Sequence, residues 1–425
     1  MLWPGAGHVY FGRPETGAKF AVPFAVVVVP VLLIALGGIR GLAAAFLVPG
    51  NALLLTIAIV VATGIWIAAL TDIYRTARRT RRVAPGRATA VLIAVVGLIG
   101  SYAAFSAWSL YDATNRVFQP GLGAVGSPGP DRPRPSADVG GIPTPPPSAP
   151  SADDRLNVLL IGADSGLGYE HALTDTIMVV SVDPTTKSVA MISVPRDIAR
   201  FPLDTGGTYD AKINSLVTVA DANPERFPDG GLGTLSRAVG HLIGVPIHYV
   251  AYVNLSGFRD LVDAVGGVDV NVERALNDRG YQFPDGKIGF RMAAGQQHLD
   301  GRLALAFVRS RNSPGENDFT RSRRQQQFLV ALRDKLTSPA MLPRLPAILD
   351  AGAGLVTTNF PPERIGELLD LAGEIPAENI TGVVLGPPYA KRPTTAGEYI
   401  LVPDLDKMAE WSVELFGPSS RYAGG

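Results

Sequence analysis

Four arginines stand where arginine is chemically conspicuous. Val194-Pro195-Arg196-Asp197 closes one apolar run, and a second, Leu303 to Val308, ends in Arg309-Ser310-Arg311. The third place is a helical pattern starting near Arg321. Steps of about 100° per residue put Gln325, Phe328, Leu332 and Leu336 within about 60° of Arg321, whereas Arg323 points the other way. The apolar stripe that must face a core therefore begins with Arg and Gln. An arginine on the buried face of a first helical turn adds its charge to the positive dipole end and to unpaired N–H groups, which makes an anion site. The bland reading of any one of these residues is a salt-bridge partner. Together, at the exits of core elements, Arg196, Arg309, Arg311 and Arg321 predict a pocket for a multiply charged anion, since guanidinium forks match phosphate oxygens bidentately. Carboxylates sit at strand ends as well: Asp164 follows Leu159-Leu160-Ile161-Gly162-Ala163, and Asp175 lies just before Ile177. Asp beside a phosphate pocket predicts a hard, oxygen-liganded cation such as Mg²⁺, shared between one or two carboxylates and the substrate phosphate.

Absent chemistry narrows the field. The chain has 425 residues and no cysteine, which excludes thiol catalysis, Cys-ligated zinc, iron–sulfur clusters and disulfide staples. No G-x-x-x-x-G-K-[ST], G-x-S-x-G or H-E-x-x-H occurs, and His171, His241, His248 and His298 stand apart without metal-ligand spacing. The 38 basic and 38 acidic side chains cancel, but unevenly: residues 1–150 hold 12 basic and 5 acidic, residues 151–425 hold 26 and 33. A neutral total with an acidic second half argues against a nucleic-acid binder.

The elements that must position the arginines read as α/β. Strand-like runs occur at Leu156 to Ile161, Ile177 to Val182, Val189 to Val194, Tyr249 to Val253 and Val268 to Val272. Helical patterns lie at Lys212 to Val219, Leu232 to Ile243, Leu255 to Val265, Arg321 to Leu336, Pro361 to Ala372 and Asp404 to Phe416. Such interleaving predicts an α-β-α sandwich, a mixed sheet covered by helices on both faces.

The first 118 residues read as a membrane domain. Phe20 to Ile39, Asn51 to Thr71 and Ala88 to Leu110 are uncharged apolar stretches of about 20 residues, each long enough to cross the ~30 Å core of a lipid bilayer. Between the second and third, Tyr74 to Arg87 holds Arg75, Arg78, Arg79, Arg81, Arg82 and Arg87. The positive-inside rule makes that loop and the N-terminus cytoplasmic, and everything after Tyr111 extracytoplasmic. Residues 119–154, ten of them proline, predict an extended linker; within it Gly121-Leu-Gly123-Ala-Val-Gly126 matches a dinucleotide fingerprint only formally, with no strand before it. Residues 155–417 are then expected to form the extracytoplasmic catalytic domain and 418–425 a flexible tail.

The chain resembles the LytR-CpsA-Psr family of bacterial envelope proteins. The resemblance rests on Asn157 to Ser165, Thr174-Asp175-Thr176, Ile192 to Asp197, Lys212-Ile213-Asn214, Asp263 to Val270, Gly295 to Gly301, Ala304 to Arg311 and Asp318 to Gln326, in that order. It implies a domain that binds a polyprenyl (pyro)phosphate, with the lipid tail in an apolar tunnel. It implies a Mg²⁺-dependent phosphotransferase that moves a glycopolymer from this carrier to a peptidoglycan hydroxyl. By position, Arg196, Arg309, Arg311, Arg321 and Gln325 would contact the pyrophosphate, and Asp175 with Asp164 would serve the metal. The pattern departs at Gly166 and Leu173, where the family often has arginine, and in its three spans, where one is common. The residues themselves leave two rivals open: a polyprenyl-pyrophosphate hydrolase with water as acceptor, and a non-catalytic lipid-binding regulatory membrane protein. Asp175 and Asp197 are the candidate proton acceptors.

Overall fold

The computed structural model describes residues 3–36, 48–80, 87–118, 155–163, 174–344, 347–348, 351–352, 356–394, 397 and 399–423. Asp164, Gly166, Leu173, His171 and the proline-rich stretch 119–154 lie outside them. The chain divides into two compact units, Met1–Asn115 with Pro362–Glu367, and Arg116–Pro361 with Leu368–Gly425.

The first unit is helical: α1 (Ala6–Tyr10), α2 (Pro14–Leu36), α3 (Pro49–Thr80) and α4 (Arg87–Val117). Pro14–Leu33, Gly50–Thr76 and Ala90–Val117 are long and apolar enough to cross a membrane. The helices overrun the uncharged stretches, because Arg and Lys near helix ends can reach toward water along their own stems; α3 carries Arg75, Arg78 and Arg79 within its last turns. The α2 helix runs through Pro23 and Pro30. Its start is pinned to α1 by a glycine contact: Gly5, at φ 96°, comes so near Gly17 that a Cβ would lie 2.3 Å from the Gly17 carbonyl oxygen. Buried His8 meets Asp72 of α3 at 3.0 Å and stacks on Phe20.

The second unit is built on strands β1 (Leu156–Ala163), β2 (Thr174–Asp183), β3 (Ser188–Ser193), β4 (Phe201–Pro202), β5 (Thr208–Tyr209), β6 (Tyr249–Asn254), β7 (Val268–Val272), β8 (Leu276–Gln282), β9 (Ile288–Met292), β10 (Gly295–Leu299), β11 (Val356–Thr358), β12 (Ile380–Val384), β13 (Ala390–Lys391) and β14 (Val402–Pro403). Six make one mixed sheet in the order β11-β6-β1-β2-β3-β12. Pairing of β1 with β6 and of β3 with β12 is parallel, and the remaining pairs are antiparallel. The helices are α5 (Leu216–Ala222), α6 (Gly230–Ile243), α7 (Leu255–Ala264), α8 (Gly301–Arg309), α9 (Asp318–Thr337), α10 (Ile365–Glu374) and α11 (Leu405–Phe416).

Alternate residues of β1, Leu159 and Ile161, enter one core with Ile177, Val179 and Ile192, closed by Leu235, Val239 and Leu242 of α6 and Trp411 of α11. A second core joins Val262 of α7, Val268 and Val270 of β7, Phe307 of α8 and Phe328 and Leu332 of α9. The mixed sheet flanked by helices is the predicted sandwich. The hairpin β8–β9 was not legible: its strands read Leu-Asn-Asp-Arg-Gly-Tyr-Gln and Ile-Gly-Phe-Arg-Met, with too few consecutive apolar residues to signal a strand.

Candidate functional site

A cleft of about 370 Å³ opens in the second unit, and Arg196, Arg309, Arg311, Arg321 and Gln325 all line it. These are the five residues expected at the pyrophosphate. Arg196 lies more than a hundred residues before the other four, so the fold and not local sequence brings it to them.

Arg196 follows β3. Val194 N–H extends the ladder by donating to the Ile177 carbonyl at 2.8 Å, and Pro195 then ends it, since proline has no N–H to give. The next residue, Asp197, is buried, and Lys212 Nζ sits 2.9 Å from its Oδ1.

Arg309 is the last residue of α8. That helix is capped by Asp300, whose carboxylate accepts from Leu303 N–H at 2.7 Å, and its first residue must be glycine: a Cβ on Gly301 would lie 2.2 Å from the Arg259 carbonyl oxygen. The apolar run Leu303 to Val308 is therefore helical, with Ala304, Leu305, Ala306, Phe307 and Val308 buried. Ser310, at ψ 137°, leaves the helix and sends Arg311 onward into the cleft wall.

Arg321 lies on α9, which begins three residues before the expected start. Asn317 caps it, accepting from Phe319 and Thr320 N–H at 2.9 and 3.0 Å, while Thr320 Oγ1 accepts from Asn317 N–H at 2.8 Å. Arg321 N–H is consequently satisfied by the Asn317 carbonyl at 3.0 Å, so Arg321 brings its guanidinium to the site and not an orphan amide. Its side chain is 9% exposed and lies 3.1 Å from Asp318, whereas Arg323 is exposed. One turn on, Gln325 Nε2 donates to Thr176 Oγ1 at 3.1 Å and to the Val308 carbonyl at 3.2 Å. Thr176 can stand there because its register partner is Gly162, where a Cβ would press to 3.0 Å on the threonine.

The backbone places Asp175 one residue from Thr176, as the extra residue of a bulge: Gly162 pairs with Thr176 and Ala163 with Thr174, leaving Asp175 without a register partner. Bulges of this kind bend a strand beside functional sites. Among the described residues no group of three or more His, Cys, Asp or Glu is close enough to hold a metal.

Three functional features were not read from the sequence. Asp278 of β8 lies at the cleft, 1% exposed, and accepts from Ser310 Oγ at 2.9 Å, from Arg311 and Asn312 N–H at 3.2 Å each, and from Gly280 N–H at 3.2 Å. Burial pushes its pKa up, but those bonds outweigh burial and hold it below the ordinary carboxylate value. Arg324 of α9 is buried, donates to the carbonyls of Phe307 and Ser310, and meets Glu316 at 3.2 Å. Burial draws its pKa down against the pull of Glu316. Gln326 is buried too, donating to Met191 and Val383 carbonyls at 3.0 and 2.9 Å and so tying α9 to β3 and β12.

Among the lining residues, four guanidinium groups thus face one carboxylate whose oxygens are already occupied by N–H and O–H donors. Fold and site together define an α/β domain with a cationic cleft suited to a polyanionic phosphate group. The chain belongs to the LytR_cpsA_psr family, whose model matches residues 136–411. It is 32% identical over 218 residues to the polyisoprenyl-teichoic acid–peptidoglycan teichoic acid transferase TagU of Bacillus mycoides, covering 51% of this chain and 64% of that relative. The protein of the same name from Halalkalibacterium halodurans is also 32% identical over 218 residues, 51% of this chain and 65% of the relative. The match thus spans just under two thirds of these relatives. The crystal structure of B. subtilis TagV is 25% identical, with a TM-score of 0.50, over 62% of this chain and 98% of that one.

Proposed function

We propose that this protein is a phosphotransferase of cell-wall assembly that moves a glycopolymer from a polyprenyl-pyrophosphate carrier to a peptidoglycan hydroxyl. The observation that carries this reading is the cleft in which Arg196, Arg309, Arg311, Arg321 and Gln325 converge. The names of the TagU relatives support the class of polymer and acceptor.

In the reaction the acceptor hydroxyl oxygen forms a bond to the phosphorus bearing the sugar. The P–O bond to the lipid phosphate breaks, its electron pair stays on the departing lipid phosphate, and the hydroxyl proton passes to solvent. The four arginines hold the diphosphate in place and stabilise charge as it builds on the leaving oxygens, so positioning and electrostatics do most of the work. Gln325, fixed by Thr176 and the Val308 carbonyl, orients from the side. Asp175, on the bulge next to Thr176, with Asp164, would hold Mg²⁺; the residue types fit a hard oxygen-liganded ion in a chain without thiols. Bound there, Mg²⁺ would supply Lewis-acid neutralisation of phosphate charge. Three spans would keep the chain in the cell membrane, the N-terminus in the cytoplasm and the cleft outside, facing lipid-linked substrate and wall.

Product analysis tests the reading. Full-length protein in detergent micelles, given a polyprenyl-pyrophosphate-linked glycopolymer and peptidoglycan, should leave polymer covalently attached to peptidoglycan and release polyprenyl phosphate. Polymer phosphate released into water would mark a hydrolase. Binding with no cleavage would mark a non-catalytic lipid-binding protein.

A further inference from the structure

The segment Arg309 to Asn312 carries two of the four cleft arginines yet belongs to no regular element beyond the end of α8. A helix end leaves its last carbonyls without intrahelical partners, and a following turn leaves N–H groups in the same state. Here both sets are taken up by ionised side chains from opposite sides. From α9, Arg324 donates to the carbonyls of Phe307 and Ser310. From β8, Asp278 accepts from the N–H groups of Arg311 and Asn312 and from the Ser310 hydroxyl. The seam continues one residue further, where Asn277 N–H donates to the hydroxyl of buried Ser313 at 2.8 Å. Arg324 is in turn fixed by Glu316 and by Phe307, over whose ring its guanidinium lies at 5.4 Å.

We infer that Asp278 and Arg324 are positioning residues for phosphate recognition, a carboxylate and a guanidinium that clamp the Arg309–Asn312 turn and thereby aim Arg309 and Arg311 into the cleft. The inference rests on the proposed reading of the cleft as a pyrophosphate site. Asp278 lines the cleft, but its Oδ2 takes all three of the turn's donors and its Oδ1 accepts from Gly280 N–H, so it acts through the arginines and not on the anion. Charge-assisted bonds are roughly twice as strong as neutral ones, which is what an irregular turn needs to hold two long cationic side chains apart against their own repulsion. Misplacing a positioned group by about 1 Å can cost on the order of 10²-fold, so a turn left to water would spoil the site without any arginine being lost.

The test is calorimetric titration of farnesyl pyrophosphate into the full-length protein in micelles. Asp278→Asn should weaken binding about tenfold or more, the scale of a lost hydrogen bond to a charged group. In an Arg311→Ala background the same substitution should cost only about threefold, because part of what Asp278 aims is gone. Arg324→Lys keeps a charge beside Glu316 but cannot fork to two carbonyls, and should weaken binding as Asp278→Asn does. An equal loss in both backgrounds, or wild-type affinity in a folded Asp278→Asn or Arg324→Lys protein, overturns the inference. If Asp278→Asn does not fold, Ser310→Ala decides: it deletes one donor to Asp278, and should weaken binding by about threefold, with unchanged affinity counting against the clamp. If the wild-type protein itself does not bind farnesyl pyrophosphate, the phosphate reading fails first and takes the clamp with it.

Discussion

Arg321 and Arg324 lie three residues apart on one helix and are both buried, 8% and 9% exposed, yet they face different partners. Arg321 lines the cleft beside Asp318. Arg324 turns inward to Glu316, itself 6% exposed, and to two backbone carbonyls. Arg323, between them, is exposed. Substitution of the three neighbours should therefore give three different outcomes.

Arg321→Ala should cut transfer by about 10²-fold or more, the loss expected for one preorganised charge contact, and leave the fold intact. Arg324→Ala should lower stability by about 3–5 kcal/mol, because it strands the Glu316 carboxylate in the interior, and should also weaken phosphate binding by releasing the Arg309–Asn312 turn. Arg323→Ala should change neither. Thermal melts and transfer assays on the three variants check this, and equal losses of transfer at Arg321 and Arg323 would refute the assignment of faces.

Asp175→Ala should abolish EDTA-sensitive pyrophosphate cleavage while the purified protein still binds polyprenyl phosphate, since Arg196, Arg309, Arg311 and Arg321 remain to neutralise it. A variant that turns over normally with Mg²⁺ contradicts the metal role of Asp175 and makes Asp164 the next candidate. Unfolding of the variant would make Asp175 a structural partner.

The pKa of Asp278 is lowered in the folded protein from its ordinary value of 3.8. A depressed carboxylate contributes stability that is complete above its unfolded pKa and is lost as pH falls through the folded one. Stability measured from about pH 6 down to about pH 2 should thus decline more steeply below about pH 4 in wild type than in Asp278→Asn. Asp183, held down by Thr186, Thr185 and Arg155 against its burial, contributes to both curves and cancels in their difference. Parallel acid limbs would mean that the bonds to Ser310, Arg311 and Asn312 do not favour the charged form.

A reporter fused after Gly86 should be cytoplasmic and one fused after Asp154 external, because the arginines between the second and third spans would hold that loop inside under the positive-inside rule. Accessibility of both sites from the same side contradicts three crossings.

The cleft arginines were legible because each breaks a pattern: Arg196 and Arg309 end apolar runs, and Arg321 interrupts a stripe. Their convergence required the topology, which brings Thr176, Val308 and Gln325 within hydrogen-bond reach across the two cores. Arg324 lies about 60° from Arg321 on the other side of the same stripe, so its burial had a signal, but its partner Glu316 precedes the helix and no helical spacing reveals it. Gln326 points away from that stripe and is buried all the same, because α9 packs against β3 and β12 as well as the second core. Asp278 gave no signal at all. A polar residue in a polar strand becomes a site residue only when folding delivers Ser310, Arg311 and Asn312 to it.

The most direct measurement is an experimental structure of the protein with geranyl pyrophosphate. The account predicts diphosphate oxygens within hydrogen-bond distance of Arg196, Arg309, Arg311 and Arg321, with Gln325 alongside and the lipid chain leaving the cleft. A diphosphate bound elsewhere, with those four guanidinium groups paired only to protein carboxylates, would contradict it.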